Sequence, residues 1–164
     1  MLYREWTTDD FEPVRRVLLE TWLDAYRSFI PEEDIRSYFE ATYSPDQLGA
    51  LCATPSCKGY VALDGDEIVG FERLHFDAEE NKLYVASIYV LPQSQGKGVG
   101  RHLLMLAEDM ARMLELDRIW LGVMTQNTRS VEWYKKIGFT FEHEEPFTMG
   151  RTVVPHLIGY KHVI

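Results

Sequence analysis

The stretch VLPQSQGKGVGRHLL, residues 90–104, places Gly96, Gly98 and Gly100 at every second position, directly before a run with helical spacing. Glycine lacks a Cβ and is disfavoured inside helices and strands, so such a cluster needs a local cause. A tight strand-to-helix turn is one. A loop whose main-chain N–H groups close on an anion, most often a phosphate, is the other. Spacing excludes two familiar phosphate loops. A P-loop needs Lys followed by Ser or Thr after its last glycine, whereas Gly100 is followed by Arg101 and His102. The dinucleotide pattern Gly-x-Gly-x-x-Gly fails because these glycines alternate. Lys97 and Arg101 would add positive charge beside an anion, or remain solvated surface.

Other reactive residue types form no constellation. Cys52 and Cys57 match no metal or redox spacing and read as incidental thiols of a reducing compartment. His75, His102, His143, His156 and His162 do not cluster at metal-ligand spacing, so no metal is expected. No nucleophile elbow or His-Glu-x-x-His motif supports hydrolase chemistry.

Elements must position the loop, and the apolar periodicity supplies them. LYREW predicts a short strand. TTDD offers an N-cap and first-turn acids for a helix whose apolar residues Phe11, Val14, Val17, Leu18, Trp22, Ala25 and Phe29 run toward Pro31. PEED starts a second helix through about Tyr43, and SPDQLGALCA a short third. KGYVALDGDEIVGFERLHF then reads as two strands around an Asp64–Glu67 turn, and NKLYVASIYVLP as a third strand. From Val99, an apolar stripe through Leu103, Leu104, Ala107, Met110, Ala111 and Leu114 predicts a helix packed on the core. RIWLGVM is a strand, and a helix runs from near Thr128 to Gly138, a natural stop. FTFEHEE and FTMGRTVVPHLIGYKHVI close the chain as strands. The order predicts one domain over 1–164 of α/β (α+β) class, a mixed and mostly antiparallel twisted sheet flanked by helices.

On these residues the loop resembles the acyl-CoA-binding motif of the GNAT superfamily of N-acetyltransferases, Arg/Gln-x-x-Gly-x-Gly/Ala, with Gln95, Gly98 and Gly100 at its defining positions. SIYVLP precedes it as a strand. Asn127, Ser130 and Tyr134 follow in the next helical segment, and WYKKIGF is similar to the family's Tyr-x-x-x-Gly-Phe signature. The resemblance implies the GNAT fold and acetyl-CoA as co-substrate. It implies that Gly96 to Arg101, Val99 included, cradle the pyrophosphate, and that the main chain of Ile88, Tyr89 and Val90 pairs with the pantetheine amides. It also implies a main-chain N–H near Val90 polarising the thioester carbonyl, and Tyr134 as the acid that protonates the leaving thiolate. Gln95 is uncharged where many relatives carry Arg, so its side chain should contribute less. Trp133 is expected as packing.

Attack on a thioester requires a neutral amine, and an alkylammonium must first shed its proton. Polyamine-acetylating relatives place a glutamate where this chain has Ala86. Glu72 is the nearest carboxylate in sequence order, although the strand reading turns it to solvent. A water chain is the alternative, and the base stays open.

The second half is similar to bacterial PaiA-type spermidine/spermine acetyltransferases, which implies a polyamine acceptor. A net charge of −9, with acid clusters at Glu32–Asp34, Asp77–Glu80 and Glu142–Glu145, suits a polycation. A protein N-terminus, an amino acid or an antibiotic amine are competing acceptors, and a non-catalytic acyl-CoA sensor is a competitor of another class. The same charge argues against nucleic acid as partner, since no basic excess exists to neutralise phosphates. No apolar signal core or bilayer-length run appears, so no membrane partner and a cytoplasmic location are expected. The terminal strand run suggests a homodimer.

Overall fold

The computed structural model describes residues 1–163. Its strands are β1 (Leu2–Glu5), β2 (Cys57–Asp64), β3 (Glu67–Asp77), β4 (Lys82–Val90), β5 (Arg118–Met124), β6 (Thr140–Met149) and β7 (Thr152–His162). Its helices are α1 (Phe11–Tyr26), α2 (Glu32–Thr42), α3 (Pro45–Ala53), α4 (Val99–Met113) and α5 (Thr128–Lys136). The strands form one sheet in the order β1-β2-β3-β4-β5-β7-β6. Every neighbouring pair is antiparallel except β4 and β5, which run parallel.

Side-chain alternation sorts the two faces of the sheet. Phe71 of β3 packs on Trp6, which in turn meets Phe11 at the start of α1. Its neighbour Gly70 points the other way, toward Val99 and Leu103 of α4. Helix α1 buries Val14, Val17, Leu18 and Trp22, while α4 buries Leu103, Leu104, Ala107 and Ala111. Both stripes keep the spacing of one helical face, so burial of that face is what holds each helix to the sheet.

Two boundaries differ from the sequence reading. Helix α1 ends at Tyr26 rather than near Phe29, because the N–H groups of Phe29 and Ile30 both turn back to the Tyr26 carbonyl. The last strands divide at Gly150–Arg151, so FTM belongs to β6 and not to the final strand. Pro146 is tolerated inside β6 because that strand is the sheet's edge, and it sits opposite Pro155 of β7.

Candidate active site

Strands β4 and β5 pair only at Leu83–Ile119 and Tyr84–Trp120, then diverge. Past those pairs the β4 edge is free of a strand partner, and a cavity of about 1340 Å³ opens, walled by residues 85–90 of β4 and 121–124 of β5. A bulge shapes that wall. Leu74 pairs with Val85 and Arg73 with Ser87, so Ala86 is the extra residue of β4, exposed and facing the cavity.

The glycine loop closes one end. Gln95 donates through Nε2 to the Val90 carbonyl at 2.9 Å, clasping the loop to the end of β4. Gly96 and Gly98 have φ of +76° and +85°, the left-handed region that costs other residues roughly 1–2 kcal/mol. Open space lies where their Cβ atoms would be. Gly98 is the N-cap of α4, and the first N–H groups of the helix, from Val99 onward, have no intrahelical acceptor. Gly100 is glycine for a different reason than closing on an anion: a Cβ there would meet Trp133 Cη2 at 3.2 Å. Trp133 is thus a packing residue, as expected, and it keeps α5 close to the start of α4.

The structure gathers nearly all the sequence-predicted residues here. Ile88, Tyr89, Val90, Gln95, Gly96, Gly98, Val99, Gly100, Arg101, Asn127, Ser130 and Tyr134 all line the cavity. Lys97 does not: it is exposed and outside the lining, which leaves Arg101 as the loop's cation at the cavity. Asn127 is the N-cap of α5, its Oδ1 facing the Ser130 N–H. Tyr134 is buried between Trp133 and Phe139, with ring centroids 5.1 and 5.4 Å away. Burial first, then the neighbouring Tyr89 and Glu72, push its phenol well above the usual range, so it holds its proton at neutral pH.

Glu72 is not the solvent-facing residue the strand reading suggests. It is fully buried, both carboxylate oxygens lack a hydrogen-bond partner, and it does not line the cavity. Period-two alternation puts it on the α4 face with Gly70 and Leu74. Burial raises its carboxyl well above the usual carboxylate range. The acid clusters also lie away from the cavity, engaged in local structure. Asp34 accepts from the Arg151 N–H and Thr152 Oγ1 at 3.1 and 2.6 Å, Asp77 from the N–H groups of Glu79 and Glu80, and Glu145 pairs with His143.

Away from the glycine loop, the cavity is aromatic. Trp22 and Tyr26 of α1, Tyr38 of α2 and Tyr43 just past its end meet Tyr89 and Phe147 from the sheet. Trp22 is the hub, within 5.4–6.5 Å of Tyr26, Tyr38, Phe39, Tyr43 and Tyr89. Asp24 supplies the one carboxylate among the described lining residues, with Arg73, Arg101 and Arg129 as cations. Sequence reasoning missed this half. Its residues come from separate elements and share no motif; only the aromatic end of α1 hinted at it. His75 and His156 also line the cavity, His156 through a ring nitrogen 2.8 Å from the Glu145 carbonyl. Among the described residues no group of His, Cys, Asp or Glu could hold a metal ion. No helix there is long and apolar enough to cross a membrane.

The profile of the acetyltransferase (GNAT) family matches residues 15–139. An uncharacterized N-acetyltransferase of Lactobacillus delbrueckii subsp. lactis is 29% identical over 137 residues, covering 80% of this chain and 79% of that protein. Spermidine N(1)-acetyltransferase of Thermoplasma acidophilum is 27% identical over 143 residues, covering 85% and 88%. The crystal structure of PaiA N-acetyltransferase from the same organism, in complex with coenzyme A, superposes with a TM-score of 0.84 over 98% of both chains at 24% identity.

Proposed function

The chain belongs to the acetyltransferase (GNAT) family, and on that premise we propose that it moves an acetyl group from acetyl-CoA to a primary amine on a small molecule. One observation carries this reading: the divergence of β4 from β5 puts the glycine loop, the open β4 edge and the Tyr134 phenol into a single cavity. The left-handed glycines and unclaimed N–H groups at the start of α4 suit a pyrophosphate, since the helix terminus adds a partial positive charge. The free β4 edge suits the amides of a pantetheine arm. A main-chain N–H near Val90 would polarise the thioester carbonyl without reorganising. Tyr134, neutral at working pH, hands its proton to the departing thiolate. With Glu72 sealed from the cavity and alanine at position 86, the amine gives up its proton to water in the open cavity.

A polyamine is the acceptor supported by similarity to the spermidine acetyltransferase, and the aromatic walls could seat an ammonium by cation–π contact. The cavity's own charges, Asp24 against three arginines, do not add to that support. The homodimer that the terminal strand run suggests also stays a proposal, although β7, which carries most of that run, lies inside the sheet between β5 and β6; a mass equal to one chain by light scattering at micromolar concentration is the contrary result.

Thiol release from acetyl-CoA, measured with polyamines, amino acids, aminoglycosides and peptides as acceptors, tests the reading. Turnover on any amine, lost in Tyr134→Phe, is the expected result. Acetyl-CoA binding with no turnover on any amine would leave a sensor domain instead.

A further inference from the structure

Arg129 lines the cavity, yet no motif in the sequence singles it out. It stands exposed in the first turn of α5. Helical periodicity gives its direction. Arg129 and Trp133 are four residues apart, as are Ser130 and Tyr134, so the four share one broad face, and all four line the cavity. Trp133 brings that face against the start of α4, where a Cβ on Gly100 would meet its Cη2 at 3.2 Å. Arg129 therefore lies one turn of α5, about 6 Å, from the residue whose indole touches the glycine loop. Arg101, directly after Gly100, lines the cavity as well.

The protein neutralises neither arginine. Among the described residues, no carboxylate comes within 4 Å of Arg101 or Arg129, whereas Arg4, Arg15, Arg16 and Arg36 each reach one. Glu132, the one acid of α5, pairs instead with Lys135 at 3.4 Å. Arg73, the third cavity arginine, is engaged by the Tyr43 hydroxyl at 3.4 Å. The start of α5 is partly satisfied too, since Asn127 Oδ1 faces the Ser130 N–H. What α5 leaves for a ligand is the guanidinium.

Coenzyme A carries two separate anions, the pyrophosphate and a phosphate on the ribose 3′-oxygen. The unclaimed N–H groups at the start of α4 can close on the pyrophosphate, and the ribose then holds the second phosphate a few bonds farther out. An arginine one turn beyond the Trp133–Gly100 contact has the reach and the charge for that second anion, which its fork can grip through paired hydrogen bonds. We propose that Arg129 binds the 3′-phosphate of the CoA moiety, so that the site selects CoA over donors that lack this phosphate. The proposal rests on the acetyl-CoA reading above and is independent of which amine accepts the acetyl group.

Titration calorimetry with CoA and 3′-dephospho-CoA tests this without turnover. The wild-type protein should bind CoA about tenfold tighter, the low end for a hydrogen bond to a charged group, because the side chain is exposed. The preference should shrink as salt rises. Arg129→Gln should bring CoA to within twofold of dephospho-CoA and leave dephospho-CoA within twofold of its wild-type value. Arg129→Lys should keep part of the preference, as a point charge still attracts phosphate. Equal wild-type affinity for the two ligands would overturn the proposal. So would an Arg129→Gln protein that weakens both alike, which would put the arginine on the pyrophosphate. Binding of neither ligand would overturn the acetyl-CoA reading together with the proposal. A CoA preference that Arg129→Gln abolishes, in a protein that turns over no amine, would sink the acetyltransferase reading alone and uphold Arg129.

Discussion

A methyl group on Gly100 would stand 3.2 Å from Cη2 of Trp133, a contact between the first turn of α4 and the middle of α5 that joins the glycine-loop end of the cavity to the wall that holds Tyr134. Gly100→Ala gains about 1 kcal/mol of helix propensity but overpacks this contact at a cost of about 1–3 kcal/mol. The expected net effect is a small drop in melting temperature with a several-fold rise in the acetyl-CoA KM. Pairing it with Trp133→Leu should remove most of both. A double variant no better than the single one would mean that the contact does not couple the helices.

Gly98 presents the opposite case, because space is open around it and only its φ of +85° demands glycine. Gly98→Val puts a β-branched residue into a left-handed conformation and should raise the acetyl-CoA KM at least tenfold in a protein that still folds. An unchanged KM would remove the loop as the phosphate cradle.

Tyr134→Phe keeps the packing against Phe139 and deletes the proton. A fall in kcat of roughly 10²- to 10⁴-fold, with the acetyl-CoA KM within twofold, is the expected signature of a lost general acid. The pH dependence has a definite sign. Burial raises the phenol, so the active, protonated form persists past pH 10, and kcat should show no alkaline decline near the ordinary tyrosine value. A decline centred at or below pH 10 that disappears in Tyr134→Phe would show a phenol without that shift.

Glu72 tests the base question and stability together. Its carboxyl is raised in the folded state, so its contribution to stability is fully present below the unfolded value near ~4.5 and is lost as pH rises through the folded one. Glu72→Leu removes two unpartnered oxygens from the α4 face. It should stabilise the protein by about 1–3 kcal/mol at pH 8 and by less at pH 5, as read from melting temperatures, with kcat little changed. A kcat collapse in both Glu72→Leu and Glu72→Gln, with folding intact, would restore this carboxylate as the base.

Asp34 ties the start of α2 to the β6–β7 turn, accepting from Arg151 N–H and Thr152 Oγ1. Asp34→Ala should cost about 1–3 kcal/mol and loosen the wall containing Tyr38 and Phe147, whose ring centroids lie 5.6 Å apart. A higher acceptor KM with an unchanged acetyl-CoA KM would confirm that the tie serves only that half, while equal rises in both would contradict it.

The glycine-loop half of the site was legible in the chain because its requirements are local. Gly96 and Gly98 meet a backbone condition, Asn127 caps the helix it precedes, and Tyr134 lies seven residues on in the same helix. Alternation and helical stripes likewise marked most strands and helices, since burial of one face is a repeating local constraint. What alternation alone could not supply was which face of the sheet each residue served. Glu72 and Arg73 are neighbours in sequence, yet one is sealed against α4 and the other lines the cavity. Only the tertiary structure decided that, through the order of strands, the bulge at Ala86 and the parting of β4 from β5. The aromatic walls are products of that assembly, because a pocket made by residues from separate elements exists only once long-range packing has brought them together.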